Sequence, residues 1–257
     1  MEVKHLFKQT VVRKPGKSYT NGLTSSNLGT PDYQKALEQH ANYIQALEKC
    51  GVQVKVLEAD ERFPDSTFVE DPAIVTEKCA IITNPGAESR NDEKVEIKEV
   101  LKGFYDNIEE ITKGTVEGGD VLRVENHFYI GLSLRTNEAG AQSLKDILTK
   151  YGYTASFVPL SKFLHLKTGV SYLGNNNIVV AGEFIDHPAF QHMNKIIVED
   201  KDTYSANCIL VNDYVLLPKG FENTRNKIEK LGYKVIELDM SEFEKQDGGL
   251  SCLSLRF

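Results

Sequence analysis

Apolar positions along the chain alternate between two periods, close to 3.6 residues and close to 2, and the alternation repeats. TPDYQKALEQHANYIQALEKCG (30–51) carries an amphipathic helical stripe, with Pro31 early and Gly51 at the stop. VQVKVLEAD (52–60) then reads as a strand, and PAIVTEKCAIIT (72–83) as two apolar runs around a charged turn. The unit recurs as EKVEIKEVLKGF (93–104), IEEIT (108–112) and GGDVLRVENHFYIG (118–131). A third copy runs through EAGAQSLKDILTKYG, YTASFVPL and GVSYLGNNNIVVAG, whose asparagine tract is turn chemistry. A weaker fourth copy has AFQHMNKIIVED (189–200) and ANCILVNDYVLLP (206–218), with the bend at Asn212 and Asp213. The fifth, NTRNKIEKLGYKVIELDM (223–240), leads into GGLSCLSLRF (248–257), a single apolar strand that begins with two glycines.

The fifth unit is therefore one strand short, while HLFKQTVVRKPG (5–16) is a strand with no helix before it. Pairing that run with SLRF completes the count and removes an unpaired edge. Hairpins that start roughly every 40 to 50 residues fit a ring of imperfect repeats, one domain spanning residues 1–257. In such a ring the loops before the hairpins converge on the axis: DSTFVED (65–71), VEGGD (116–120), SKFLHLKTG (161–169), EDKDTYS (199–205) and EKQDGGLSC (244–252).

Composition narrows the function classes. The net charge of −7 with no basic block argues against nucleic acid or an anionic membrane as partner. No apolar run reaches transmembrane length, and the charged stretch MEVKHLFKQT lacks a signal-peptide core, so a cytoplasmic protein is expected. Cys50, Cys79, Cys208 and Cys252 are scattered, which reads as free thiols and not as a disulfide framework or a zinc site. Oligomeric state is not readable from these patterns, and a homodimer stays open.

The converging loops carry the candidate chemistry. Glu70 and Asp71, with Asp65 one turn earlier, suit a planar cation, because carboxylates accept paired N–H donors in bidentate geometry. Gly118 and Gly119 permit a tight backbone approach between Glu117 and Asp120. His165 stands in a loop and not on a periodic apolar face. Cys252 then offers a nucleophile, for which a histidine base and an orienting carboxylate form a familiar set. The ordinary alternatives are a solvated acidic loop, a turn, a core histidine and a small buried thiol.

Taken in order, FVEDPA, VEGGDV, HLKT, GLSLRTN and DGGLSC resemble the dimethylarginine dimethylaminohydrolases of the guanidino-group-modifying (amidinotransferase, pentein) superfamily, across essentially the whole chain. The resemblance implies an α/β fold, a five-bladed propeller with pseudo-fivefold symmetry. It implies hydrolysis of Nω-methylated arginine to citrulline through a covalent intermediate on Cys252, with His165 as general acid and base and Glu117 orienting the imidazole. It further implies that Glu70 and Asp71 hold the guanidinium, that Asp65 and the backbone carbonyl of Leu23 hold the α-amino group, and that Arg90 and Arg135 fork onto the α-carboxylate. Thr168 and Asp247 belong to the same substrate set.

Thr168 and Gln246 depart from the family pattern, and a polar Gln246 near the leaving group would suit an unmethylated amine as well. An arginine deiminase-like activity is thus the alternative within enzymes, and a silent guanidino-compound binder or a ribosome-associated ring protein the alternative outside them. The implied substrate is a small guanidino amino acid. No metal or other cofactor is called for, although a thiol and an imidazole in one pocket are able to trap zinc. RKPGKSYTNGL (13–23) is rich in loop formers and reads as a mobile lid over the site.

Overall fold

Asp32 starts the first helix by accepting a hydrogen bond from the Lys35 amide, and Gly51 ends it at φ +86°, a conformation that costs glycine little. The computed structural model describes residues 7–257. His5 and Leu6, at the head of the expected first strand, lie outside them. In chain order the elements are β1 (Gln9–Arg13), α1 (Tyr33–Lys49) and β2 (Gln53–Leu57), then β3 (Ala73–Val75), β4 (Ala80–Ile82), α2 (Glu93–Leu101) and β5 (Ile108–Glu110). There follow β6 (Val121–Val124), β7 (His127–Leu132), α3 (Glu138–Lys150) and β8 (Thr154–Pro159), then α4 (Leu166–Gly169), β9 (Val170–Tyr172), β10 (Asn177–Val180) and β11 (Asn194–Ile197). The last are β12 (Ile209–Val211), β13 (Tyr214–Pro218), α5 (Glu222–Glu229), β14 (Lys234–Leu238), α6 (Ser241–Glu244) and β15 (Leu255–Arg256).

The strands form five three-stranded sheets of one design: a middle strand pairs antiparallel with the inner strand and parallel with the outer one. A hairpin turn makes the antiparallel pair in four of them, and a crossover, usually a helix, makes the parallel one. Glu125 and Asn212 turn their hairpins at φ +51°, and Asn175 and Asn176 turn theirs at +51° and +60°. The remaining sheet closes the ring. β1 pairs antiparallel with β15, Thr10 opposite Arg256 and Val11 opposite Leu255, and parallel with β2. β1 and β15 meet where the missing strand was expected.

The fourth unit departs from the pattern. AFQHMNKIIVED forms no α-helix; two 3-10 turns, Gly182–Phe184 and Pro188–Phe190, lead directly into β11. Asn194–Ile197 pairs in parallel with β10, Val179 opposite Ile196, so the second half of that run is spent as strand and leaves too short a stretch for a helix. Phe184 and Phe190, both fully buried, fill the space that a helix stripe covers elsewhere. The expected lid is likewise anchored: Tyr19 is fully buried against Phe68 and Phe243, and the amides of Lys17 and Ser18 donate to the Glu61 carboxylate. Beyond it the chain becomes exposed at Leu23 and Leu28.

Candidate active site

Glu117 lies in the turn before β6, with its carboxylate wholly buried. Oε1 accepts from the amides of Gly86 and Ala87 at 3.1 and 3.2 Å and from Arg135 Nη1 at 3.2 Å, which leaves Oε2 for His165 Nε2 at 2.7 Å. Gly118 and Gly119 make this approach possible. A Cβ on Gly118 would stand 1.9 Å from the Glu70 carbonyl oxygen, and one on Gly119 would stand 2.7 Å from His165 Nδ1. Asp120 fixes the other end of the histidine loop, because its Oδ1 accepts the Leu166 amide at 3.0 Å while Oδ2 takes the Ser133 hydroxyl at 2.6 Å.

Burial pulls the imidazole towards neutrality, but Asp71, the bond to Glu117 and Asp120 outweigh it and raise His165 to about 9. Burial likewise works to raise Asp71, and Arg90 and His165 overcome it and hold that carboxyl down at about 2. Glu117 also stays below the usual range, its bond to His165 overriding the effect of burial. The site is therefore an imidazolium flanked by ionised carboxylates at neutral pH.

Cys252 is carried on a 3-10 turn, Ser251–Leu253, and not on a strand; β15 starts only at Leu255. The turn of the chain falls on Asp247, at φ +56°, rather than on the two glycines. Gly248 and Gly249 are required by close approach instead: a Cβ would come within 2.3 Å of the Phe68 ring and 2.4 Å of the Asn207 side chain. The Gly249 amide donates to Sγ at 3.4 Å, while burial and the charges of Glu70 and Asp71 push the thiol up to about 12. Cys50, Cys79 and Cys208 are fully packed in the core, which raises their thiols also. Cys252 alone of the four is partly accessible.

Cys252 and His165 line one small cavity of about 30 Å³ together with Leu23, Asp65, Asp71 and Asp247. Arg90 and Arg135 line it too, but they are not equivalent. Arg90 is 5% exposed and its guanidinium is held by Asp71 at 2.6 Å, by Glu93 and by the carbonyls of Asp65 and Phe68. Arg135 stays partly open, with one contact to Glu117. The Leu23 amide donates to both Asp65 oxygens at 3.1 and 3.2 Å, and burial raises the Asp65 carboxyl. Asp247 Oδ2 accepts the amide and hydroxyl of Ser25.

Two expected substrate contacts are not brought here. Glu70 turns away from the cavity: Oε1 pairs with Lys167 at 2.5 Å and Arg256 at 3.5 Å, facing a separate cavity of about 500 Å³. The segment before β3 is a run of turns, in which Asp71 is held by Arg90 and the Gly119 amide while Glu70 Oε1 pairs with Lys167 and Arg256. Thr168, inside α4, does not line the cavity either. The expected axial loop at 199–205 supplies no lining residue; Tyr204 supports the cysteine turn through a 2.8 Å bond to the Gly248 carbonyl. Phe68, Leu164 and Glu93, which sequence reasoning passed over, do belong to the pocket or its supports, and only the apolar neighbours of the acids hinted at the first two.

Ligand atoms of Asp71, Glu117 and His165 fall within 4.8 Å of one another, a spacing able to hold a cation. Asp71 is already taken by Arg90 and Gly119, and Glu117 by His165, Arg135 and two amides, so these oxygens are engaged in ion pairs and hydrogen bonds.

A family model described as N,N dimethylarginine dimethylhydrolase, eukaryotic, matches residues 26–255. The chain belongs to the dimethylarginine dimethylaminohydrolase family. It is 54% identical to the N(G),N(G)-dimethylarginine dimethylaminohydrolase of Pseudomonas aeruginosa, covering 98% of this chain and 100% of the relative, and 32% identical to the enzyme of that name from Streptomyces coelicolor over 97% and 96%. Among solved structures, a dimethylarginine dimethylaminohydrolase adduct with S-methyl-L-thiocitrulline superposes with a TM-score of 0.97 at 54% identity, covering 98% of this chain and 100% of that one. The N-terminal domain of the arginine dihydrolase ArgZ superposes with a TM-score of 0.86 at 19% identity, covering 96% of each chain, a likeness of fold. The family's five-bladed α/β propeller is thus the architecture of this chain. Among the described residues, no helix is long and apolar enough to cross a membrane.

Proposed function

We propose that this protein hydrolyses Nω-methylated L-arginine to L-citrulline with release of methylamine or dimethylamine, Cys252 acting as nucleophile. The observation that carries the assignment of roles is the 2.7 Å bond between Glu117 and His165 inside the one cavity that also holds Cys252. The P. aeruginosa relative is named for this activity, and structures of its family hold citrulline and a thiocitrulline adduct.

Before substrate binds the thiol is protonated, its pKa pushed up to about 12 by burial and the nearby carboxylates. A guanidinium entering beside Asp71 places positive charge next to Sγ, and the thiol loses its proton to water. The thiolate attacks the guanidinium carbon and forms a C–S bond. His165, protonated at neutral pH, gives its proton to the methylated nitrogen, and the C–N bond breaks to release the amine and leave an S-alkylthiouronium. Neutral His165 then takes a proton from water, the hydroxide adds to the same carbon, and collapse expels the Cys252 sulfur, which takes up the hydroxyl proton and leaves as the thiol with citrulline as product. Glu117 holds the imidazole in place through the whole cycle. Asp65 and the Leu23 carbonyl receive the α-ammonium end, and the open edge of Arg135 receives the α-carboxylate.

The test is citrulline formation from asymmetric dimethylarginine, monomethylarginine and arginine, with Cys252→Ser alongside. Citrulline from the methylated substrates, absent in the variant, supports the proposal. Citrulline mainly from arginine, or from none of the three, defeats it.

A further inference from the structure

Gln246 is 4% exposed, yet its Oε1 finds no hydrogen-bond partner among the described residues. The residue lines the same cavity as Cys252 and His165. Its backbone is held by the Phe243 carbonyl at 2.9 Å, and the Phe243 ring is fully buried, so the side chain springs from a fixed point. Leaving a buried amide oxygen without a donor is costly, and a side chain with this freedom would otherwise turn its N–H towards an acceptor.

An acceptor is close by. The position that a Cβ would take on Gly22 is 2.6 Å from Asp65 Oδ1 and 3.2 Å from Gln246 Oε1. Two acceptors, one of them a carboxylate, therefore flank a single space that glycine keeps open next to Leu23. Acceptors facing one another in this way fit a ligand group that has only donors. An ammonium is such a group, with three N–H bonds and no acceptor.

We propose that Gln246 Oε1 accepts a hydrogen bond from the α-ammonium group of the bound amino acid, completing a three-acceptor set with Asp65 and the Leu23 carbonyl. The inference deepens the proposed function and rests on it for the identity of the amino-acid end. Gln246 thereby selects for α-amino acids over guanidino or ureido acids without the amine. A carboxylate alone at Asp65 would attract any small cation; a neutral acceptor at a second angle adds direction.

Calorimetric binding of L-citrulline and of 5-ureidopentanoate, which is citrulline without the α-amino group, tests this independently of turnover. In Gln246→Leu, citrulline should bind roughly tenfold or more weakly, as the loss of a hydrogen bond to a charged group implies, while 5-ureidopentanoate binds as in the wild type. Gln246→Glu keeps an acceptor at the same place and should hold citrulline within roughly threefold of wild type. Equal weakening of both ligands, unchanged citrulline binding in Gln246→Leu, loss of citrulline binding in both variants, or no citrulline binding to the wild type would each overturn the inference. If the wild type forms no citrulline from methylated arginines yet the calorimetric pattern holds, the proposed reaction falls and the assignment of Gln246 stands.

Discussion

Glu117 and His165 share a 2.7 Å hydrogen bond through Oε2, while the other carboxylate oxygen is held by two backbone amides and by Arg135. The orienting group cannot rotate without breaking several bonds at once. Glu117→Gln should therefore keep the fold but lower kcat about 10²- to 10⁴-fold with KM little changed, because the amide can present an N–H to the imidazole and stabilise the wrong tautomer. Steady-state kinetics with circular dichroism as the fold control checks this, and a kcat within a factor of three of wild type would show that Glu117 is not the orienter.

Alkylation of Cys252 offers a second check. With the thiol at about 12 in the empty site, iodoacetamide should modify it slowly at pH 7.5, and the rate should rise about tenfold per pH unit as long as the fold persists. A cationic amidine ligand that fits beside Asp71 should accelerate modification at pH 7.5, whereas a neutral urea of the same shape should not. Mass spectrometry of the labelled peptide gives the answer. Rapid labelling of the free protein at neutral pH would mean that the thiolate exists before substrate arrives.

The two arginines of the pocket should respond differently to truncation. Arg90→Ala leaves Asp71 and Glu93 buried without their partner, which should cost about 3–5 kcal/mol of stability. Arg135→Ala removes a partly exposed group and should cost under about 1 kcal/mol while raising KM at least tenfold. Urea denaturation beside kinetics separates the cases, and similar stability losses in both would contradict this division.

Two buried histidines should shape stability against pH from opposite sides. His165 is raised from 6.5 to about 9, so its contribution is complete below pH 6.5 and is lost as pH climbs through 9. Burial lowers His40 from 6.5 to about 4, so its contribution is complete above pH 6.5 and is lost as pH falls towards 4. Each limb is worth roughly 3 kcal/mol. Urea midpoints from pH 4.5 to 9.5 should trace a dome near pH 6.5, with His40→Gln flattening the acid limb and His165→Gln the alkaline one.

Gly119→Ala should separate packing from chemistry. The added methyl would stand 2.7 Å from His165 Nδ1 and push the imidazole away from Glu117. The expected result is at least a hundredfold loss of kcat with a stability loss of about 1–3 kcal/mol. An active variant would show that the histidine has room the packing does not suggest.

The ring was legible because its rules are local. Alternating periods marked helices and strands, asparagines marked two of the hairpin turns, and a strand missing from the last unit implied its partner at the other end, where Thr10 and Val11 indeed pair with Arg256 and Leu255. Local rules failed where local signals compete: Asn194–Ile197 went into β11 instead of the fourth helix, and two buried phenylalanines took over its packing.

The residue types of the site, and their gathering on loops at one axis, followed from the sequence and from the family its motifs resemble. Side-chain direction did not. Glu70 and Asp71 are neighbours in the chain yet face different cavities, Arg90 is spent on holding Asp71 in place, and the glycines before Cys252 make room for Phe68 and Asn207 instead of bending a strand. Gln246 and Asp65 flank one space at Gly22 only because distant segments, residues 22–23 and 243–247, are packed together. The sequence by itself determined which elements form and how many times the unit repeats, because propensity and periodicity act over a few residues. Tertiary structure alone decided which face each acid turns to and which charges pair, since those choices depend on contacts between loops that lie far apart along the chain.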